Sequence, residues 1–113
     1  MAAGNYDIVI DQGSDFALAI ALAEDGSAIN LSTHTASAQL RPTPSSDTLT
    51  ATFTCQVTNA SEGKLTMKLG YATTANITAG KYYYDLEIFN SSSNTITRLI
   101  QGVARVTQNV TRA

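Results

Sequence analysis

From Thr48 to Thr58 the chain reads Thr-Leu-Thr-Ala-Thr-Phe-Thr-Cys-Gln-Val-Thr, an unbroken alternation of apolar and polar side chains. Successive side chains of an extended strand point to opposite faces, so this period places Leu49, Ala51, Phe53, Cys55 and Val57 on one face and the polar residues on the other. No helical period fits the segment. A strand of this kind must lay its apolar face on a second layer, which restricts the chain to packed sheets. Lys64 to Leu69 repeats the pattern with Leu65, Met67 and Leu69 on one side, and Asn59 to Gly63 supplies turn residues, so the two segments predict a hairpin.

The same period recurs along the chain. Tyr6 to Ile10 is a short strand. Asp15 to Ala23 alternates Phe16, Leu18, Ile20 and Leu22 with Ala17, Ala19, Ala21 and Ala23; a helix here would be apolar on every side, so the strand reading prevails. The alanine row is a smooth interface onto which a neighbouring protein could pack closely, or else one face of a strand buried on both sides. Asp25-Gly26 marks a tight turn. Thr35 to Arg41 places Ala36, Ala38 and Leu40 on one face and stops at Pro42 and Pro44, which cannot donate to a ladder. Tyr71 to Ala79 lacks alternation and predicts a crossover with one helical turn. From Lys81 the pattern returns, with Tyr82, Tyr84, Leu86 and Ile88 inward and Tyr83, Asp85 and Glu87 outward. After the polar loop Asn90 to Asn94, Thr95 to Thr107 forms the last strand, with Ile96, Ile100, Ala104 and Val106 on one face and Gly102 marking a bulge or a close backbone approach. Seven or eight short strands, with no repeat or linker, predict one all-β antiparallel sandwich over residues 1–113 with short polar tails at Met1 to Asn5 and Thr107 to Ala113.

Composition narrows the function. Charged residues make up only 14% while Ser and Thr supply 26 of 113 residues, so outward positions carry hydroxyls more than charges. The seven Lys and Arg residues are dispersed and the net charge is -2; phosphate neutralisation needs a clustered basic face, so nucleic acid is not an expected partner. The start lacks a basic leader followed by an apolar stretch, and no run approaches the roughly 18 apolar residues of a membrane span, so synthesis in a cytoplasm and no membrane contact are expected. The five Asn-x-Ser/Thr sequons, from Asn30, Asn59, Asn76, Asn90 and Asn109, are chance products of this composition. Cys55, the one cysteine, excludes an intrachain disulfide and reads as a small core side chain rather than a reactive thiol.

Catalytic starting points are few. His34 stands alone, read as an exposed or edge-strand residue, without the further ligands zinc needs, and no nucleophile elbow accompanies the many serines. Asp7, Asp11 and Asp15 recur every four residues and could attract calcium, but they flank the turn Gln12-Gly13-Ser14, where Asp commonly bonds its own backbone. The seven glycines are scattered singly and form no phosphate loop. The expectation is a non-enzyme without cofactor or metal.

One segment, Ala79-Gly80-Lys81-Tyr82-Tyr83-Tyr84-Asp85-Leu86, resembles the Gly-x-Tyr-x-Cys run that opens strand F of immunoglobulin-like domains, whose Tyr hydroxyl bonds back to the backbone as the tyrosine corner. Gly80 and Tyr82 occupy the first two positions, and Tyr84 stands where the disulfide cysteine would be. With Asp25-Gly26, Asn30-Leu31-Ser32, Ala38-Gln39-Leu40-Arg41 and Arg98-Leu99-Ile100-Gln101-Gly102-Val103-Ala104-Arg105-Val106 in that order, the chain resembles the small immunoglobulin-like structural domains of tailed-bacteriophage virion proteins, including the N-terminal module of baseplate upper proteins. The resemblance covers about Asp15 to Thr111. It implies a non-catalytic virion component of a tail, baseplate, neck or capsid surface, contacting other virion proteins and copies of itself. The alternative is an adhesion module for host-surface carbohydrate or protein, with Tyr71, Tyr83 or Phe89 as stacking residues.

Overall fold

The structure, a computed structural model, describes residues 4–24 and 26–110. Asp25 of the expected tight turn, and Met1 to Ala3 and Thr111 to Ala113 of the expected tails, lie outside the described residues. The strands are β1 Gly4–Asn5, β2 Ile8–Asp11, β3 Phe16–Ala21, β4 Ala23–Glu24, β5 Ser27–Ala28, β6 His34–Arg41, β7 Ala51–Asn59, β8 Lys64–Leu69, β9 Gly80–Asn90 and β10 Thr95–Thr107. A 3-10 turn, Ala60–Glu62, joins β7 to β8, and one short helix, α1 Tyr71–Ala75, lies in the crossover between β8 and β9.

Eight strands form one curled sheet in the order β1-β10-β9-β6-β7-β8-β3, with β2 also on β10, while β4 and β5 make a separate hairpin. The curl comes from β7. Its first residues, Ala51 to Phe53, pair with β6, and from Thr54 onward it pairs with β8 instead. One strand therefore belongs to both layers of the sandwich, and the inward row of each layer closes on the other. The fold is an immunoglobulin-like all-β sandwich without a disulfide. Its sheet is mixed, because β1 and β2 both run parallel to β10.

Alternation places the core largely as the sequence predicts. Ile8, Ile10, Ala38, Leu40, Phe53, Leu65, Met67, Leu69, Tyr84, Leu86, Ile88, Ala104 and Val106 are buried in one cluster, and each large aliphatic or aromatic side chain so buried stabilises by about 1.5–3 kcal/mol. Phe53 sits at its centre with ring centroids 6.0 Å from Phe16 and 6.2 Å from Tyr84. Two expectations fail for identifiable reasons. Leu49 precedes the start of β7 and is 45% exposed. Ile96 is 66% exposed because the β9–β10 register slips between Arg98 and Ile100, making Leu99 an extra, buried residue. That slip reverses which parity faces inward, so Ile96 ends up opposite Phe89 on the outer surface.

Gly102 marks the close approach, and the bulge lies three residues earlier. A Cβ on Gly102 would collide with the Tyr6 carbonyl oxygen. The missing side chain lets the N-terminal segment cross at Tyr6 between its two short pairings with β10, where Tyr6 N donates to Gln101 O at 2.9 Å. The Tyr84 hydroxyl donates to the Tyr6 carbonyl across this gap.

Candidate functional site

Gly80 and Tyr82 lie at the start of β9, where the crossover enters the sheet. Gly80 opens the strand at φ +154°, a value that residues with a Cβ rarely adopt. Two residues on, Tyr82 turns its half-buried ring back over the crossover, and its hydroxyl donates to the Thr78 carbonyl at 2.6 Å. Within the crossover, on α1, Thr74 is the buried polar residue of the described core, and its hydroxyl donates to Ser14 O at 2.8 Å while accepting from Gly13 N at 3.1 Å. Nothing in the sequence singled Thr74 out, since a lone Thr in one short helical turn carries no pattern.

The outward residues of β6, β9 and β10 converge on an open groove of about 680 Å³. Gln39 and Arg41 come from β6, Tyr83, Asp85 and Glu87 from β9, and Arg98, Gln101 and Val103 from β10, with Asn5 and Asp7 closing one side. The guanidinium of Arg41 is held by the Gln39 side-chain oxygen at 2.9 Å and the Ser46 carbonyl at 3.2 Å. Arg98 pairs with Asp85 at 3.3 Å and donates to the Gln101 side chain at 3.2 Å. Lys81 lies 5.4 Å from the centre of the Tyr83 ring. Planar amides, carboxylates and guanidinium groups around one aromatic ring can hydrogen-bond a polar ligand while the ring packs on its apolar face. The sequence placed Tyr83, Asp85 and Glu87 outward but could not assemble this set, because its members are spread along the chain from Asn5 to Val103 and meet only through the strand order.

The other predicted stacking residues lie elsewhere. Tyr71 is 65% exposed at the start of α1, and Phe89 pairs with Ile96 at the far end of β9; neither lines the groove. The three aspartates do not converge either. Asp7 accepts from Val103 N at 2.9 Å and Asp11 from the Thr107 hydroxyl at 2.8 Å, both tying the N-terminal stretch to β10, while Asp15 accepts from Tyr71 N at 2.7 Å at the start of α1. No group of metal-ligating side chains forms among the described residues. His34 is half-buried at the start of β6, opposite Asn90, and β6 is an interior strand rather than an edge. Cys55 is half-buried, and desolvation pushes its thiol up to about 11, which keeps it protonated and unreactive near neutral pH.

The alanine row has its own place. Ala17, Ala19, Ala21 and Ala23 are all exposed, so β3 is not buried on both faces. Phe16, Leu18 and Ile20 point inward but stay half-buried, because β3 ends the sheet. Its register with β8 runs from Phe16 opposite Leu69 to Ala21 opposite Lys64, and Leu22 N continues it by donating to Gly63 O at 2.8 Å. The even-numbered residues thus turn their N–H and C=O groups toward β8, and Ala17, Ala19 and Ala21 turn theirs outward to an edge that pairs with no strand among the described residues. The N-terminal strands β1 and β2 lie away from this edge, paired with β10.

No protein-family model and no curated protein matches this sequence. Among solved structures the chain is similar, over 95% of its length, to Listeria monocytogenes InlP, at 15% identity and a TM-score of 0.44, spanning 28% of that chain. It is also similar to the NK cell receptor Nkp44, at 14% identity and a TM-score of 0.47, covering 95% of this chain and 100% of that one. A third similar structure is CopC from Methylosinus trichosporium OB3b, at 12% identity and a TM-score of 0.47 over 98% of this chain and 91% of that one.

Proposed function

We propose that this chain is a non-catalytic structural module of a tailed-bacteriophage particle, made in the host cytoplasm and built into a tail, baseplate, neck or capsid-surface assembly. The observation that carries the reading is the open edge of β3. A row of unpaired backbone groups flanked by alanines, without a charge, proline or bulge between Phe16 and Ala21, is what isolated proteins ordinarily blunt. In an assembly the same edge is a joint. The biological setting is inferred from the resemblance of the stretches between Asp25-Gly26 and Val106 to phage immunoglobulin-like domains. Quantitative mass spectrometry of purified particles should find the chain at many copies per virion, and its absence from them would refute the assignment.

A second reading draws on the groove. Tyr83 with Arg41, Glu87 and Gln101 around it offers the planar polar groups and aromatic face that a sugar ring needs, which supports an adhesion module for host-surface glycan. Glycan-array binding that Tyr83→Ala abolishes would favour this reading over assembly.

A further inference from the structure

We propose that β3 pairs with β3 of a second copy in an antiparallel, two-fold arrangement centred on Leu18, joining the two β7-β8-β3 layers into one continuous sheet. This deepens the assembly reading by naming the partner and the register.

Geometry restricts the register. The outward-turned groups belong to odd-numbered residues, so hydrogen-bonded pairs across the joint must match odd with odd, which also keeps both cores on the same side of the joined sheet. Centring on Leu18 sets Ala17 opposite the partner's Ala19 and Ala21 opposite the partner's Asp15. Four such pairs allow about eight backbone hydrogen bonds. Centring one residue later would instead call on Ala23, whose backbone is already committed to Ala28 in the β4–β5 hairpin.

Side chains favour the same register. On the outer face, Lys64, already paired with Glu62 at 3.1 Å, stands beside Ala21 and would lie two strand spacings, about 10 Å, from the partner's Asp15, an opposite charge largely screened at physiological salt. Lys68 and its copy would be three spacings apart, about 14 Å, beyond the screening length of about 8 Å at physiological salt. No like charges meet. On the inner face, the half-buried Leu18 would meet its own copy and Phe16 the partner's Ile20, completing the burial that the open edge leaves unfinished.

Sedimentation equilibrium of the full chain should give a dimer of twice 11.9 kDa. In a Cys55→Ser background, Leu18→Cys should cross-link on mild oxidation, because facing non-hydrogen-bonded positions come closest, whereas Ala19→Cys should not. Ala19→Pro removes an N–H that makes no bond within the chain, so it should keep the circular-dichroism spectrum and melting temperature of a folded domain yet sediment as a monomer. A wild-type chain that is monomeric at every concentration, a folded Ala19→Pro dimer, or cross-linking through Ala19→Cys in preference to Leu18→Cys would each overturn the proposal. These outcomes are separate from particle composition: a chain missing from virions that still dimerises through Leu18 refutes the virion assignment alone.

Discussion

Replacing Tyr82 by Phe removes one hydroxyl and leaves the ring in place, which isolates the bond that ties the crossover to β9. The hydroxyl donates to Thr78 O at 2.6 Å, and Thr78 is exposed. Water can therefore reach the freed carbonyl, and the cost is that of one ordinary hydrogen bond, about 1 kcal/mol, rather than the larger penalty of an unsatisfied buried group. For a chain of this length that corresponds to a fall in melting temperature of about 4 °C. The assay is thermal unfolding by circular dichroism at one fixed protein concentration, since any self-association also shifts the midpoint. Tyr83→Phe on the same strand is the control, because its ring faces the groove, and no change is expected there. A Tyr82→Phe midpoint within about 1 °C of wild type, or no lower than that of Tyr83→Phe, would refute the reasoning.

Two further outcomes follow from the N-terminal crossing and the buried titratable groups. Gly102→Ala forces a methyl carbon against the Tyr6 carbonyl, so it should destabilise by about 1–3 kcal/mol and raise amide exchange at Tyr6 and Ile8; a denaturation midpoint equal to wild type would contradict the close approach. Desolvation, then the charges of Asp7 and Tyr6, push Tyr84 from 10.0 up to about 12, and desolvation pushes Cys55 from 9.0 to about 11. In both, the unfolded chain gives up its proton first, so stability is full below pH 9 and falls as pH rises toward 12. Urea midpoints at pH 8, 10 and 11 should show that decline, and Tyr84→Phe with Cys55→Ser should flatten it; an unchanged slope in the double variant would count against the assignment.

Much of the fold was legible in the sequence because alternation survives wherever a strand keeps one partner on each side. Phe53, Leu65, Met67, Leu86 and Ile88 all lie on the faces their spacing predicts. Legibility failed where the backbone changes phase or partner. The slip at Leu99 reverses parity within β10, and one extra residue in a ladder leaves no mark in composition. The change of partner at Thr54 leaves the alternation of β7 intact, so neither the curl of the sheet nor the open edge at β3 could be read from it. The parallel pairing of β2 with β10 was equally silent, since a strand's side-chain pattern does not record its neighbour's direction. Of the candidate sites, the alanine row was visible as a surface but not as a free edge, and of the groove only the outward Tyr83, Asp85 and Glu87 were visible, not the partners that β6 and β10 bring beside them.

That parallel pairing has a mechanical consequence. The first and last long stretches of the chain, Ile8–Asp11 and Ala104–Thr107, lie side by side and run the same way. Tension drawn through the two ends therefore acts along the strands in shear, loading the rungs of this short ladder together, where an antiparallel terminal pair would unzip one rung at a time. A module anchored at both ends would meet a pull with this terminal pair loaded in shear rather than peeled apart.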